Sequence, residues 1–134
     1  MTYHLDTNAA IALLESRPPS ARAALGRALA AGADVHISAV VVFELWYGVY
    51  RSARRTQNAE ALRRFLAGPI QVLPLEDEDG VTAAEIRELL RAAGTPIGPY
   101  DLLIAGQALR HDATLITANR DEFARVPGLK LRIW

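Results

Sequence analysis

Short apolar runs alternate with helix-period segments from one end of the chain to the other, and this alternation restricts the fold more than any other feature. The opening run that ends at Leu5, then Val35 to Ile37, Ile70 to Leu73, Thr114 to Thr117 and Leu129 to Ile133, have the length and apolar character of strands. Helical stretches lie between them: Ala9 to Glu15, Ala21 to Ala31, a segment after Ser38, Asn58 to Ala67, Val81 to Ala93, Tyr100 to His111 and a short turn of helix at Asp121 to Arg125. Strand and helix repeated in this way close as a mostly parallel sheet with helices on both faces, an α/β/α three-layer arrangement. At 134 residues, with no linker, low-complexity tract or internal repeat, the expectation is a single domain spanning 1–134.

Local chemistry sets the boundaries. Arg17-Pro18-Pro19 interrupts the first helical stretch, Ser20 is placed to cap the second, and Gly32 to close it, with Leu25, Ala28 and Leu29 on its inner face. Ser38 can cap the third helix, in which Val40, Phe43, Glu44 and Tyr47 share one side. The acids Glu76 to Asp79 precede a helix and suit the positive end of its dipole, a structural role. That helix is expected to bury Ile86, Leu89, Leu90 and Ala93, and the helix after the stiff connector Thr95 to Pro99 to be buried nearly all round.

Composition removes several classes of function. Without cysteine, disulfides and thiolate metal sites are excluded, and the histidines His4, His36 and His111 show no ligand spacing. No apolar run reaches the roughly 18 residues of a membrane span, and the N-terminus lacks the layout of a signal peptide, so a soluble, cytoplasmic protein is expected. A formal net charge of zero argues against holding nucleic acid by global attraction. Lys130 is the only lysine, so the positive charge is nearly all arginine. No acid lies between Glu44 and Glu60, where Arg51, Arg54 and Arg55 gather; this strip is either a solvated helix face or a contact for phosphates.

The first strand ends abruptly in Asp6-Thr7-Asn8. In open parallel sheets ligands bind outside the carboxyl ends of the strands, which is where Asp6 and Asn119 fall. Glu44 and Asp101 lie early in helices that start from the same edge. Each has a bland reading, as a helix cap, a dipole partner or a margin residue, but together they bring three acids to one edge. Three carboxylates about 5 Å apart repel by roughly 3 kcal/mol per pair at an effective dielectric of about 20. Protonation or a cation must relieve this. All-oxygen ligands suit Mg2+ or Mn2+, and the chemistry that follows is metal-assisted hydrolysis of a phosphodiester.

Leu5-Asp6-Thr7-Asn8, Phe43-Glu44-Leu45 with Gly48, Pro96 to Ala105, and Leu115 to Asn119 with Phe123 resemble, in order and over the whole chain, the motifs of PIN-domain ribonucleases, specifically the VapC-type toxins of bacterial toxin–antitoxin pairs. The resemblance implies a PIN-like domain whose metal is held by Asp6, Glu44 and Asp101, with RNA, frequently transfer RNA, as substrate. It also implies a VapB-type antitoxin as partner and a homodimer. The fourth acid of many members falls on Asn119, with Asp121 and Glu122 close by, a departure that leaves the second metal position unassigned; Asn119 is a catalytic candidate beside the three acids, Thr7, Thr117 and Asp121 are auxiliary candidates, and Arg51, Arg54 and Arg55 are candidates for holding RNA. The rival readings are a catalytically silent RNA- or partner-binding module of the same fold, and a small-molecule phosphatase. The second lacks the expected acid two residues after Asp6, where Asn8 stands.

Overall fold

A computed structural model describes residues 1–134. The elements run β1 (Thr2–Leu5), α1 (Thr7–Glu15), α2 (Pro19–Ala30), β2 (Asp34–Ser38), α3 (Ala39–Arg51), α4 (Arg55–Leu66), β3 (Gln71–Leu73), α5 (Asp77–Ala92), α6 (Pro99–Arg110), β4 (Thr114–Ile116), α7 (Arg120–Phe123) and β5 (Lys130–Arg132). The five strands form one sheet in the order β3-β2-β1-β4-β5, and every pairing is parallel. β1 is therefore central, flanked by β2 with Leu5 opposite Ile37 and by β4 with Leu5 opposite Ile116. Those three side chains are fully buried. The expected α/β/α architecture with a parallel sheet is what the chain adopts.

Helix starts follow the local chemistry in most places. Asp6 caps α1 by accepting from the Ala9 N–H at 2.8 Å, and the Ser38 hydroxyl caps α3 by accepting from the Val40 N–H at 3.1 Å. α5 opens with a capping box between Glu76 and Asp79. α2 differs from expectation: Pro18 occupies the cap position, Pro19 is the first helical residue and Ser20 lies inside the helix. The inner face of α3 also differs. Val41, Leu45 and Val49 are buried together with Val40, whereas Phe43 and Tyr47 are exposed, so Glu44 lies at the margin of the core. In α5 the buried set is Asp79, Ala83, Ile86 and Leu90; Leu89 and Ala93 face solvent because Ala83 and Leu90 form the stripe that meets α6.

That contact with α6 is close. A Cβ on Gly106 would lie 2.9 Å from the Ala83 nitrogen, so glycine allows the two helix backbones to meet there. At the far end of α6, Arg110 donates from Nε to Asp79 Oδ1 at 2.6 Å and from Nη2 to Glu76 Oε1 at 3.2 Å. Asp79 has no exposed surface. Burial works against its charge, but the Arg110 hydrogen bond and the capping N–H of Glu76 hold its carboxyl below the ordinary range.

The three histidines, far apart in sequence, meet in the fold. Register places His4 beside His36 across β1 and β2, and the turn after α6 brings His111 alongside. The His4 ring centre lies 5.5 Å from each of the other two. Burial, with the neighbouring rings of His36 and His111, pushes His4 down to about 4.

Candidate active site

Four carboxyl groups are gathered outside the carboxyl ends of β1 and β4. Asp6 arrives directly from β1, its backbone N–H still donating to the Ile116 carbonyl of β4 at 3.1 Å. Its side chain is almost wholly buried. Burial raises its pKa, Glu44 adds to the rise, and the Thr117 hydroxyl and the Ala9 N–H oppose it. Glu44 projects from α3 and is held by Thr7, whose hydroxyl donates to Glu44 Oε1 at 2.6 Å. Asp101 stands in the first turn of α6, where Pro99 sets the direction of the helix. Burial is the largest cause that pushes Asp101 up to about 6; Glu122, Glu44 and Asp6 add like charge.

Glu122 is the fourth acid, and sequence reasoning favoured its neighbour. Asp121 is exposed and lies outside the group, whereas Glu122 turns inward from α7. Asn119 Nδ2 donates to Glu122 Oε2 at 2.8 Å and the Gly98 N–H to Oε1 at 3.2 Å. Hydrogen bonds from Asn119 and Gly98 are the leading causes of a lowered Glu122 pKa, so Asp101 is the member of the pair that keeps its proton longer. The signal was present in the sequence: Asn119 and Glu122 have the spacing of a helix cap and its third residue, which lets the glutamate reach back over the cap. Asn119 thus serves as donor to an acid, and Thr117 supports it by accepting from the Asn119 N–H at 2.9 Å.

No ion pair engages Asp6, Glu44, Asp101 or Glu122. The donor set is oxygen throughout, which fits a hard dication and excludes a soft one. Glu76, Asp79 and His111, elsewhere on the molecule, lie within 4.8 Å of one another, but there the Arg110 guanidinium already supplies the cation.

Beside the acids, α3 presents exposed aromatic rings. Phe43 packs on Tyr100 with centres 5.5 Å apart, and Ala39, Val40 and Leu103 complete an apolar depression. Farther along α3, the arginine strip is tethered to rings: Arg51 stacks over Tyr47 and Arg55 over Tyr50, at 5.6 and 5.8 Å. Arg54, at the cap of α4, is exposed. No helix is long and apolar enough to cross a membrane.

Comparison with known proteins agrees with this geometry. The PIN domain family model matches residues 3–129. Ribonuclease VapC2 of Rickettsia felis is 37% identical over 134 residues, covering 100% of this chain and 98% of the relative. The tRNA(fMet)-specific endonuclease VapC of Salmonella typhimurium is 30% identical with the same coverage, 100% and 98%. Among solved structures, VapBC2 from Rickettsia felis bound to a DNA fragment from its promoter matches with a TM-score of 0.93 at 35% identity, covering 100% of this chain and 99% of that one. DNA-bound VapBC from Salmonella typhimurium matches with a TM-score of 0.92 at 30% identity, covering 100% and 98%.

Proposed function

This chain belongs to the PIN-domain family, and from that premise we propose that it is the endoribonuclease toxin of a toxin–antitoxin pair, hydrolysing RNA phosphodiester bonds with Mg2+ or Mn2+, transfer RNA being the favoured substrate class. The observation that carries the reading is the convergence of Asp6, Glu44, Asp101 and Glu122, from β1, α3, α6 and α7, with Asp6 and Asp101 both raised and none of the four in an ion pair, Arg125 acting on Glu122 only through its charge at longer range. Asp6, Glu44 and Asp101 are the residues that would hold the metal. When bound, the ion neutralises the carboxylates, polarises the phosphoryl group and activates water.

The chain's own groups set the geometry. Thr7 fixes one oxygen of Glu44 and leaves the other free. Asn119 and Gly98 hold Glu122 against Asp101, so that α7 and the connector before α6 position that carboxyl jointly. Arg125 adds a second tie by donating to the Pro96 carbonyl at 2.9 Å. Arg51, Arg54 and Arg55 lie farther along the segment that carries Glu44 and are assigned to the RNA backbone.

A VapB-type antitoxin is the inhibitory partner, and two surfaces suit protein contacts. One is the apolar cleft between α1, α3 and α4, with Leu14, Leu45 and Leu62 along it and Glu44 at its lip. The other is the depression around Phe43 and Tyr100, which suits self-association as a homodimer. A cytoplasmic location follows from the substrate.

The test is RNA cleavage by wild-type and Asp6→Asn protein, with and without divalent ion. Asparagine also caps helices well, so α1 keeps its start and the fold survives while metal-dependent cleavage disappears. Cleavage by Asp6→Asn at the wild-type rate refutes the assignment; a folded wild type that binds RNA without cutting it establishes the silent-module alternative.

A further inference from the structure

We propose that His4, His36 and His111 form a second metal site, separate from the carboxylate edge, that takes a borderline dication of the zinc class. Three imidazoles converge from β1, β2 and the turn after α6, and two of their nitrogens are unusual. His4 Nε2 and His36 Nδ1 are buried and have no hydrogen-bond partner. His4 is only 2% exposed. Leaving a buried polar atom unpaired costs about 1–3 kcal/mol, so two such atoms on adjacent strands require an explanation.

A shared ion supplies one. The His36 Nε2 approaches Gln71 Oε1 at 3.2 Å, and because an amide oxygen only accepts, the ring proton sits on Nε2. Nδ1 then carries the free lone pair, the arrangement in which an outer hydrogen bond prepares an imidazole as a ligand. The ring-centre spacing is compatible with this as well. With metal–nitrogen bonds of about 2.0–2.1 Å, two imidazoles on one tetrahedral ion have ring centres about 5.2 Å apart. His4 and His36 stand at 5.5 Å with their planes 88° apart. His111, at 5.5 Å from His4, is the adjustable member: its side chain is 30% exposed, and its ring has to turn to close the third bond, since the nitrogens of the three rings do not all lie within 4.8 Å of one another. Turning gives up a 3.3 Å contact with Arg110 Nη2 and a 4.0 Å approach to Asp79 Oδ1. Arg110 keeps its bonds to Asp79 and Glu76, and the Asp79 charge, already felt at His4, favours a cation there. Imidazole selects zinc, cobalt or nickel over magnesium, which separates this site chemically from the all-oxygen edge.

The experiment is calorimetric titration of Zn2+ into the untagged, metal-stripped chain in millimolar Mg2+, repeated on His36→Gln, His111→Gln and Asp101→Asn, with thermal melts of each protein. The expected result is one zinc per chain, retained in Asp101→Asn and weakened by about tenfold or more in either histidine variant, with zinc raising the wild-type Tm. His111 is on the surface, so His111→Gln keeps the test valid should His36→Gln destabilise the fold. Absence of zinc uptake, equal affinity in wild type and His111→Gln, or loss of the zinc only in Asp101→Asn would each overturn the proposal.

Discussion

Replacing Gly106 with alanine sets two effects of known size against each other. In a helix interior alanine is preferred over glycine by about 1 kcal/mol, so propensity alone predicts a more stable protein. The added Cβ, however, would lie 2.9 Å from the Ala83 nitrogen and 3.0 Å from both its Cα and its Cβ. Ordinary carbon contacts begin near 3.5 Å, so α5 and α6 would have to separate by about half an ångström. Two of the three obstructing atoms are backbone and cannot rotate away. Overpacking of this kind costs about 1–3 kcal/mol or more, and with no side chain able to yield, the upper end applies. The net expectation is destabilisation by about 1–2 kcal/mol, a Tm lower by roughly 4–7 °C for a chain of this size. α6 also carries Asp101, so its displacement should slow cleavage by roughly tenfold or more through misplacement of that carboxyl. Far-UV melts, urea titration and an RNA-cleavage assay on Gly106→Ala measure all three. The double variant Gly106→Ala/Ala83→Gly removes one of the three close contacts and should recover only part of the loss. A Tm equal to or above wild type in Gly106→Ala would refute the reasoning.

Neutralising Arg51, Arg54 and Arg55 to alanine should raise the RNA concentration needed for cleavage and flatten its salt dependence while leaving divalent-ion binding unchanged; unaltered RNA affinity would return this strip to a solvated helix face. Asn119→Asp puts a further charge beside Glu122 and Asp101 and should strengthen Mg2+ or Mn2+ binding in the RNA-free protein, whereas Asn119→Ala should release Glu122 and slow cleavage; calorimetry that shows no gain for the aspartate contradicts this. Arg110→Ala should lower stability near neutral pH. Because the folded Asp79 pKa lies below its unfolded value, the contribution is present above about pH 4 and is lost as pH falls through the folded pKa, so the Tm gap to wild type should narrow in acid. A gap independent of pH would show that Asp79 ionisation is not involved. Expression without a partner should arrest growth, and a VapB-type partner should restore it; harmless accumulation of active protein would count against the toxin assignment.

Strand placement was legible because a buried strand in a parallel sheet has to be short, apolar and bounded by turn residues, as around Leu5, Ile37 and Leu115. Parallel topology then fixed which chain ends share an edge, which is why Asp6, Glu44 and Asp101 could be placed together from sequence. What escaped depended on orientation about a helix axis or on strand register. Periodicity alone put Phe43 and Tyr47 inside, but a stripe one residue round the helix, through Val41, Leu45 and Val49, faces the core. The same uncertainty selected Asp121 over Glu122, adjacent acids on a short helix that point in different directions. The histidines lacked ligand spacing along the chain because register, not sequence distance, sets His4 beside His36.

The two acidic groups of this molecule show how charge compensation divides structure from function. Glu76 and Asp79 are closed by Arg110, with bonds of 3.2 and 2.6 Å, and they act as a clamp between the start of α5 and the end of α6. Asp6, Glu44 and Glu122 are bonded instead to neutral donors, the hydroxyls of Thr7 and Thr117, the amide of Asn119 and the N–H groups of Ala9 and Gly98, while Asp101 shares a hydrogen bond with Glu122. Neutral donors orient carboxylates without discharging them. Burial first, and the like charge of the neighbouring acids second, raise Asp6 and Asp101, and an external cation or bound protons relieve both. An arginine delivered by a protein partner would do so too, since a guanidinium can engage several carboxylate oxygens at once. On this electrostatic ground an inhibitor that inserts an arginine and a catalytic dication compete for the same edge, and raising the divalent concentration should weaken such an inhibitor in proportion to ion occupancy.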